Sequence, residues 1–491
     1  MKAIYLFVLT AGLFASCVSL EVEPVSQQVE QQFYRNESDA IAAVNAIYVS
    51  LHADAIQSLY NGLIQISTEM ATDDYAAGPR ARNAHVRAIS ALVHDASNNR
   101  MEALWQTSYD AINRANIAVD KITEIPAGDI REPIRQRLIA EAKFLRALHY
   151  FNLVRWFGGI PLVLHETTTL SSENLNVPNA TEDEIYAQIT QDLKDAESLP
   201  APADYSAIDI GRATAGAAKS LLAKVYLTRQ EWQNAADKAQ EVISTGWYDL
   251  FDDFADVFDA ATKNGKEHIF SVQYEGNANY IGNGLAYRAS TTEVPGISGE
   301  YADMVNGGSD IYTSYVPNDR RLPVTFATEL ISPVDGQLYQ LSAPHLHKYF
   351  DPEVLSDEHQ SSRNFPVIRY AEVLLIRAEA LNELSATPTT EAYTLVDKVR
   401  QRAGIDLLAT VAPSLTKDEF RDSVFQERRK EFVYEHQRWF DLSRRGPEYY
   451  IRMLNAAGKT NAAPRHVRFP IPQRELDLNP NLKQNPEWTN Y

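Results

Sequence analysis

The segment Glu427–Gly446 constrains this chain most, because ionisable side chains interrupt an otherwise apolar helical stripe. Its sequence, ERRKEFVYEHQRWFDLSRRG, predicts one helix that ends at Gly446. Aromatic residues recur along it every seven positions, namely Phe425, Phe432 and Trp439. Arg429 and His436 fall inside the same stripe. Because a buried charge needs a hydrogen-bonded partner, we expect both side chains to be buried and held by groups elsewhere in the fold.

Length and charge narrow the class of protein. The chain has 491 residues, 45% of them hydrophobic, so it can bury one large core or two ordinary ones. Its net charge of −19 repels polyanions, which argues against a nucleic-acid-binding role. Outside the N-terminus no apolar run reaches the length of a transmembrane helix. We therefore expect a folded protein that is not an integral membrane protein.

The first seventeen residues, MKAIYLFVLTAGLFASC, predict where the protein goes. Lys2 followed by an apolar run and small residues is typical of a secretory signal peptide, here residues 1–16. Cys17, the only cysteine, follows Ala15 and Ser16 as in a bacterial lipobox. We expect acylation of Cys17 and a membrane tether over residues 17–36. The alternative is a plain cleaved signal in which Cys17 has no role.

Helical periodicity dominates the rest of the chain and predicts a mainly α fold. The predicted helices are Ser38–His52, Met101–Ile122, Glu132–Phe157, Glu182–Leu199, Arg212–Thr228, Glu231–Thr245, Arg369–Leu384 and Glu391–Ala403. Several form pairs across one short turn, with large residues facing small ones. These pairs, about four within residues 101–245 and 369–446, resemble degenerate tetratricopeptide units that stack into a scaffold.

Two regions lack helical periodicity. One is Ala71–Ala96, and the other is a long insertion at about residues 267–365, rich in Tyr, Asn and Gly. Short strands are predicted in the insertion at His268–Tyr274, Leu322–Ala327 and Leu346–Phe350. Irregular insertions this long inside a compact domain are usually functional, so we expect ligand contacts there.

Seven segments resemble the SusD/RagB family of outer-membrane nutrient-binding lipoproteins, in family order. They are ISTEMATDD (Ile66–Asp74), WQTSYDAINRAN (Trp105–Asn116), AEAKFLRALHYFNLVRWFGGIPLV (Ala140–Val163), KEHIFSVQY (Lys266–Tyr274), NDRRL (Asn318–Leu322), RYAEVLLIRAEALNE (Arg369–Glu383) and RFPIPQRELDLNPNLKQNPEW (Arg468–Trp488). The segment Glu427–Gly446 belongs to the same resemblance, which extends from Cys17 to the C-terminus.

The resemblance implies one SusD-like domain over residues 37–491. It further implies a lipoprotein of the outer membrane, facing the cell exterior, that caps a SusC-like TonB-dependent barrel. Such a protein binds an oligosaccharide or another nutrient and is not an enzyme. An alternative is a tetratricopeptide-type interaction module that organises a surface complex without touching nutrient. A glycan-degrading enzyme is a more distant alternative.

The sequence gives enzymes and metal sites little support. It contains no GxxxxGK[ST], GxSxG, HExxH or DxDxDG motif. Two pairs could mimic a zinc site or a glycosidase site, but we interpret them as a surface pair and a salt-bridge network: His345 with His347, and Glu427 with Glu431. No cofactor is expected, although Asp73–Asp74 and Asp252–Asp253 could help to hold a structural calcium ion.

Candidate sugar contacts come from the two irregular regions. All six tryptophans lie at positions that we assign to the scaffold: Trp105, Trp156, Trp232, Trp247, Trp439 and Trp488. The predicted ligand-binding residues are Tyr75, Arg80, Arg82, Asn83, Tyr280, Asn283, Tyr287 and Tyr301, with Arg288, Tyr312 and Tyr315 nearby. Tyrosine rings can stack on sugars while amides and guanidinium groups reach hydroxyls. Without a loop tryptophan, the identity of the ligand stays open.

Overall fold

The protein is described by a computed structural model over residues 33–52, 59–78, 81–169, 171–276, 281–288, 290–297, 302–303, 307–354 and 361–489. Helices dominate the described residues. They are α1 (Glu37–His52), α2 (Ile64–Thr68), α3 (Ala84–Ser90), α4 (Asn99–Glu124), α5 (Glu132–Phe157), α6 (Ser172–Leu175), α7 (Glu182–Ala196), α8 (Ala215–Thr228), α9 (Trp232–Thr245), α10 (Leu285–Arg288), α11 (Leu322–Thr325), α12 (Tyr370–Leu384), α13 (Thr390–Arg402), α14 (Leu408–Val411), α15 (Lys417–Glu431), α16 (Arg438–Arg444), α17 (Pro447–Ala456) and α18 (Gln473–Leu478).

Within the described residues, six short strands form antiparallel pairs. They are β1 (Ala76–Ala77), β2 (His268–Val272), β3 (Ala302–Asp303), β4 (Phe326–Ile331), β5 (Leu338–Leu346) and β6 (Phe365–Arg369). Strand β1 pairs with β3, β2 with β6, and β4 with β5. The β2–β6 pair closes the long insertion at its base, so the chain leaves the helical scaffold after β2 and returns to it at β6.

The long helices form where the periodicity predicts them. Helix α5 has the predicted bounds, and the ends of the other seven predicted helices lie within three residues of the prediction. Thr181 begins α7 with a capping box, in which its hydroxyl accepts a hydrogen bond from the Glu184 N–H. Successive helices pack in pairs: α4 with α5, α8 with α9, and α12 with α13. Short connections of this kind produce packed neighbouring helices.

The prediction of one helix over Glu427–Gly446 is wrong. Helix α15 ends at Glu431 and α16 begins at Arg438, and between them Tyr434 and His436 each have φ of 60°. The break is stabilised from elsewhere in the fold. Lys348 Nζ donates to the carbonyl oxygens of Glu431 at 3.1 Å and Val433 at 2.9 Å. These bonds satisfy carbonyls that a helix end leaves without partners.

Three details of the irregular regions also differ from the predictions. Residues Leu322–Thr325, predicted as strand, form a helical turn with Pro323 near its start. Strand β5 ends at Leu346, where the prediction placed the beginning of a strand. Helix α3 lies inside Ala71–Ala96, because the Asn83 side chain accepts hydrogen bonds from the N–H groups of His85 and Val86 and so caps it.

The two ionisable side chains that we expected to be buried in Glu427–Gly446 agree in part with that prediction. Arg429 and His436 are 5% and 4% exposed. The guanidinium group of Arg429 is fully engaged by acids, whereas the imidazole ring of His436 stacks on Phe365 at 4.7 Å. It is the backbone N–H of His436 that donates to Glu69, at 2.8 Å. No helix in the described part of the chain is long and apolar enough to span a membrane.

Candidate ligand-binding face

Strands β1 and β3 join the two irregular regions that the sequence singles out. Ala76 pairs with Asp303, and Ala77 pairs with Ala302. The first strand lies in the loop that contains Tyr75 and Asn83, and the second lies in the long insertion. We call the described loop residues 75–78, 81–83, 281–288 and 302–303 the ligand face. The pairing therefore places parts of both predicted ligand regions side by side.

Two buried aspartates hold the ligand face to the scaffold. Arg438 donates to both carboxylate oxygens of Asp73, at 2.9 and 2.6 Å, and Arg429 donates to Asp74. Burial by itself would raise the pKa of Asp73, but the adjacent Arg438 and Arg429 guanidinium groups hold it below its usual value. Since both aspartates are engaged by arginine, they are not free ligands for calcium.

Lys459 also holds the loop that contains Asp73 and Asp74. Its ammonium group donates to the carbonyl oxygens of Met70 and Tyr75, at 2.6 Å each. Burial lowers the pKa of Lys459 to about 7, although Asp73 and Asp74 partly oppose this effect. This contact could not be predicted from the sequence, because a lysine in a C-terminal loop carries no local signal of burial.

Asn61 and Asn283 fix the second part of the ligand face. The Asn61 side chain donates to the Gly282 carbonyl oxygen at 3.1 Å and accepts from the Gly284 N–H at 2.6 Å. The Asn283 amide donates to the Arg363 carbonyl oxygen at 2.8 Å and is 2% exposed. Asn283 therefore positions α10, which carries Tyr287, and its own amide is used within the protein.

The eight predicted ligand residues divide into three groups. Arg80, Tyr280 and Tyr301 lie outside the described residues. Arg82 is exposed, and Asn83 and Tyr287 are half-buried, so these three have accessible surface. Tyr75 is 1% exposed, and its ring packs on Tyr434 at 4.9 Å. Neither Tyr75 nor Asn283 presents a ring or an amide to solvent in this structure.

The side chains that could mimic catalytic pairs have structural partners. Glu427 pairs with Arg321 at 2.6 Å, and Glu431 pairs with Arg369 at 2.5 Å. The salt-bridge interpretation of this pair is therefore confirmed. His345, at the end of β5, lies 3.2 Å from Glu293. No group of three or more potential metal-ligating side chains occurs among the residues that the structure describes.

A further surface feature lies along α4. Trp105, Tyr109 and Asn113 follow at spacings of four residues and line a groove of about 880 Å³. Trp105 is 4% exposed, which supports its predicted place in the scaffold. The missed signal is the i, i+4, i+8 spacing, which places these three side chains on one helical face.

Comparison with known proteins connects this fold to a family. A sequence profile described as "SusD family" matches residues 336–488, and one described as "Starch-binding associating with outer membrane" matches residues 20–227. A curated relative, SusD-like protein P2 of Formosa agariphila, is 30% identical over 514 residues, covering 98% of each chain. The chain belongs to the SusD/RagB family.

Solved SusD-like structures have the same fold. A SusD superfamily protein from Parabacteroides distasonis superposes with a TM-score of 0.79 at 25% identity, over 92% of this chain and 99% of that one. A laminarin-binding SusD-like protein superposes with a TM-score of 0.76 at 28% identity, over 92% of this chain and 100% of that one. The predicted mainly α, SusD-like fold is confirmed.

Proposed function

We propose that this chain binds an oligosaccharide without catalysis and acts as the lid of a SusC-like TonB-dependent transporter at the outer membrane. The relatives supply the ligand class: one SusD-like structure binds laminarin, and one matching profile is described as starch-binding and outer-membrane-associated. The single observation in this chain that carries the proposal is the β1–β3 pair. It joins two loops from distant parts of the sequence into one surface.

The ligand face has the chemistry that a neutral sugar requires. Arg82 and the amide nitrogen of Asn83, whose oxygen caps α3, can donate to hydroxyl groups. The half-buried Tyr287 ring can stack on a pyranose. The acids next to it, Asp73 and Asp74, are neutralised by arginine. We include Arg80, Tyr280 and Tyr301 in the proposed site on the sequence prediction alone.

The remaining parts of the chain have supporting roles in this proposal. Residues 1–16 direct export, Cys17 carries the lipid, and residues 17–36 tether a single domain over 37–491. The paired helices, as tetratricopeptide-like units, form the scaffold that contacts the barrel. Because the buried glutamates of α15 are bound to arginines, no pair of carboxylates is free there to hydrolyse a glycosidic bond.

The test is isothermal titration calorimetry of the folded protein, without lipid, against laminarihexaose, maltohexaose, xylohexaose and a uronic-acid hexasaccharide. We expect heat from at least one neutral sugar and intact ligand when the mixture is chromatographed afterwards. Shortened ligand would overturn the non-catalytic proposal. Failure to bind any sugar while the protein still captures a barrel partner would favour the interaction-module alternative.

A further inference from the structure

The groove along α4 is a second concave surface, and its lining is distinct from the ligand face. Its floor contains Tyr109 and Asn113. One wall is the loop between Pro161 and Val177, and the other is the C-terminal segment between Arg474 and Leu482. A volume of about 880 Å³ falls in the range of small-ligand sites, roughly 300–1,000 Å³.

Hydrogen bonds fix the first wall to the floor. The Tyr109 hydroxyl donates to the Pro161 carbonyl oxygen at 2.7 Å. The Asn116 amide donates to the Val163 carbonyl oxygen at 2.9 Å, and the Tyr150 hydroxyl donates to the same oxygen at 2.7 Å. The wall is therefore held by two residues of α4 and by Tyr150 of α5.

Further hydrogen bonds connect the two walls to each other. The Asn479 amide donates to the Val177 carbonyl oxygen at 2.8 Å, and the Asn481 amide donates to the Asn176 carbonyl oxygen at 2.7 Å. With floor and walls tied together, the groove exists before any ligand arrives. A preformed site avoids the entropic cost of ordering loops on binding.

The lining matches neutral polyhydroxylated molecules. Six amide side chains line the groove: Gln106, Asn113, Asn116, Asn174, Asn176 and Asn479. Four of them already bond within the protein: Gln106, Asn116, Asn174 and Asn479. Asn113 is exposed and Asn176 is half-buried, so these two amides can offer both donors and an acceptor to a sugar hydroxyl. Tyr109 is half-buried, and Trp105 lies behind it with ring centroids 5.0 Å apart. An aromatic ring with rigid support can pack against the apolar face of a pyranose.

Other ligand classes fit the lining less well. The positively charged residue in the lining is Arg474, and it already forms a salt bridge with Glu102 at 3.0 Å. Asp110 and Glu475 add negative charge to the lining, which repels phosphates and acidic sugars. A lipid chain would need a continuous apolar lining, and the amides interrupt it. We propose that this groove is a second binding site for a short neutral oligosaccharide.

The experiment uses the folded chain and the same neutral hexasaccharides. Asn113→Arg projects a long side chain into the groove from an exposed helical position, and we expect it to weaken groove binding at least tenfold. Gln233→Arg makes the same chemical change at an exposed position on α9 and should leave affinity within twofold. Trp105→Phe should remove any fluorescence change that belongs to groove binding, with melting curves showing that each variant folds.

Tyr287→Ala on the ligand face separates this inference from the proposed function. Binding that survives Tyr287→Ala and is lost in Asn113→Arg supports the groove site, whether or not the ligand face binds as well. Binding lost only in Tyr287→Ala overturns the groove site and leaves the proposed function standing. If Asn113→Arg does not change the binding of any sugar, the groove site is also overturned. The same holds if Asn113→Arg weakens only the capture of a protein partner.

Discussion

Arg429 of α15 and Asp74 of the ligand-face loop form a buried ion pair although 355 positions separate them in sequence. The guanidinium Nε lies 3.1 and 3.2 Å from the two carboxylate oxygens. A second nitrogen of the same group donates to Asp310 at 2.8 Å. Arg429 thus connects the helical scaffold, the first loop and the long insertion through one side chain.

Replacing Arg429 with Ala should destabilise the protein, because Asp74 would remain buried without its counter-charge. The expected loss is about 3 kcal/mol in the free energy of unfolding, measured by urea denaturation. Arg429→Lys keeps the positive charge but loses the bidentate hydrogen bonding of the guanidinium group. Its loss of unfolding free energy should therefore be smaller than that of Arg429→Ala. An unchanged unfolding midpoint in Arg429→Ala would show that the ion pair contributes nothing to the fold.

Two buried histidines should make stability decrease in mild acid. The His94 and His466 rings lie 5.2 Å apart, and burial lowers the pKa of each to about 3, with an added contribution from neighbouring cationic groups. In the unfolded chain both protonate below about 6.5, so stability should fall as pH drops from 6.5 to 3, by about 1.4 kcal/mol per unit per histidine.

The measurement is the free energy of unfolding as a function of pH. His94→Phe removes one titrating group while keeping a ring against Trp488, so its slope between pH 6.5 and 3 should be smaller. His165, whose side chain is 84% exposed, provides the control, and His165→Ala should keep the parent slope. Equal slopes in all three proteins would contradict the prediction.

Asp441 should add a second loss of stability at lower pH. Burial would raise its pKa, but Arg428 at 2.8 Å and Arg444 at 3.0 Å together hold the pKa at about 2. Because the folded pKa is depressed, the stabilisation is present above pH 4 and is lost as pH falls from about 4 to 2, by roughly 2 kcal/mol. Asp441→Asn should be less stable at pH 7 and lose less between pH 4 and 2.

Local pattern predicted the scaffold because long amphipathic helices are encoded within each segment. The bounds of α5, Glu132–Phe157, follow directly from its own residues. The break after Glu431 does not, because Lys348 and Arg369, distant in sequence, supply the donors that stabilise it. A helical wheel includes only neighbours along the chain and so continues the helix to Gly446.

The candidate site was predictable in outline and not in detail. Composition located both irregular regions, whereas the β1–β3 register and the Lys459 support depend on tertiary contacts. Tyr75 illustrates the difference. A tyrosine in a loop has the same sequence signal whether its ring faces solvent or, as here, packs on Tyr434 in the interior.

Ligand binding at the face should depend on stacking and only weakly on salt. Tyr287→Ala should weaken binding of the recognised neutral hexasaccharide by roughly 2- to 30-fold, which corresponds to about 0.5–2 kcal/mol for one ring contact. Raising the salt concentration from 50 to 500 mM should change affinity less than twofold, because a neutral ligand gains little from screened charges. Tyr312→Ala, in the insertion but packed on Phe326, is the control and should bind like the parent. A strong salt dependence would indicate an acidic ligand instead.

Membrane attachment should depend on Cys17. Cys17 lies outside the described residues, so the prediction comes from the sequence Ala15-Ser16-Cys17 and from lipobox chemistry. Cys17→Ala should remove the acylation site while leaving the melting temperature of the domain unchanged. Expressed in a host without the barrel partner, the parent should fractionate with the outer membrane and Cys17→Ala with the soluble fraction. Ser19→Ala, two residues further along, should behave like the parent. Cys17→Ala that stays in the membrane fraction would show that attachment comes from another part of the chain.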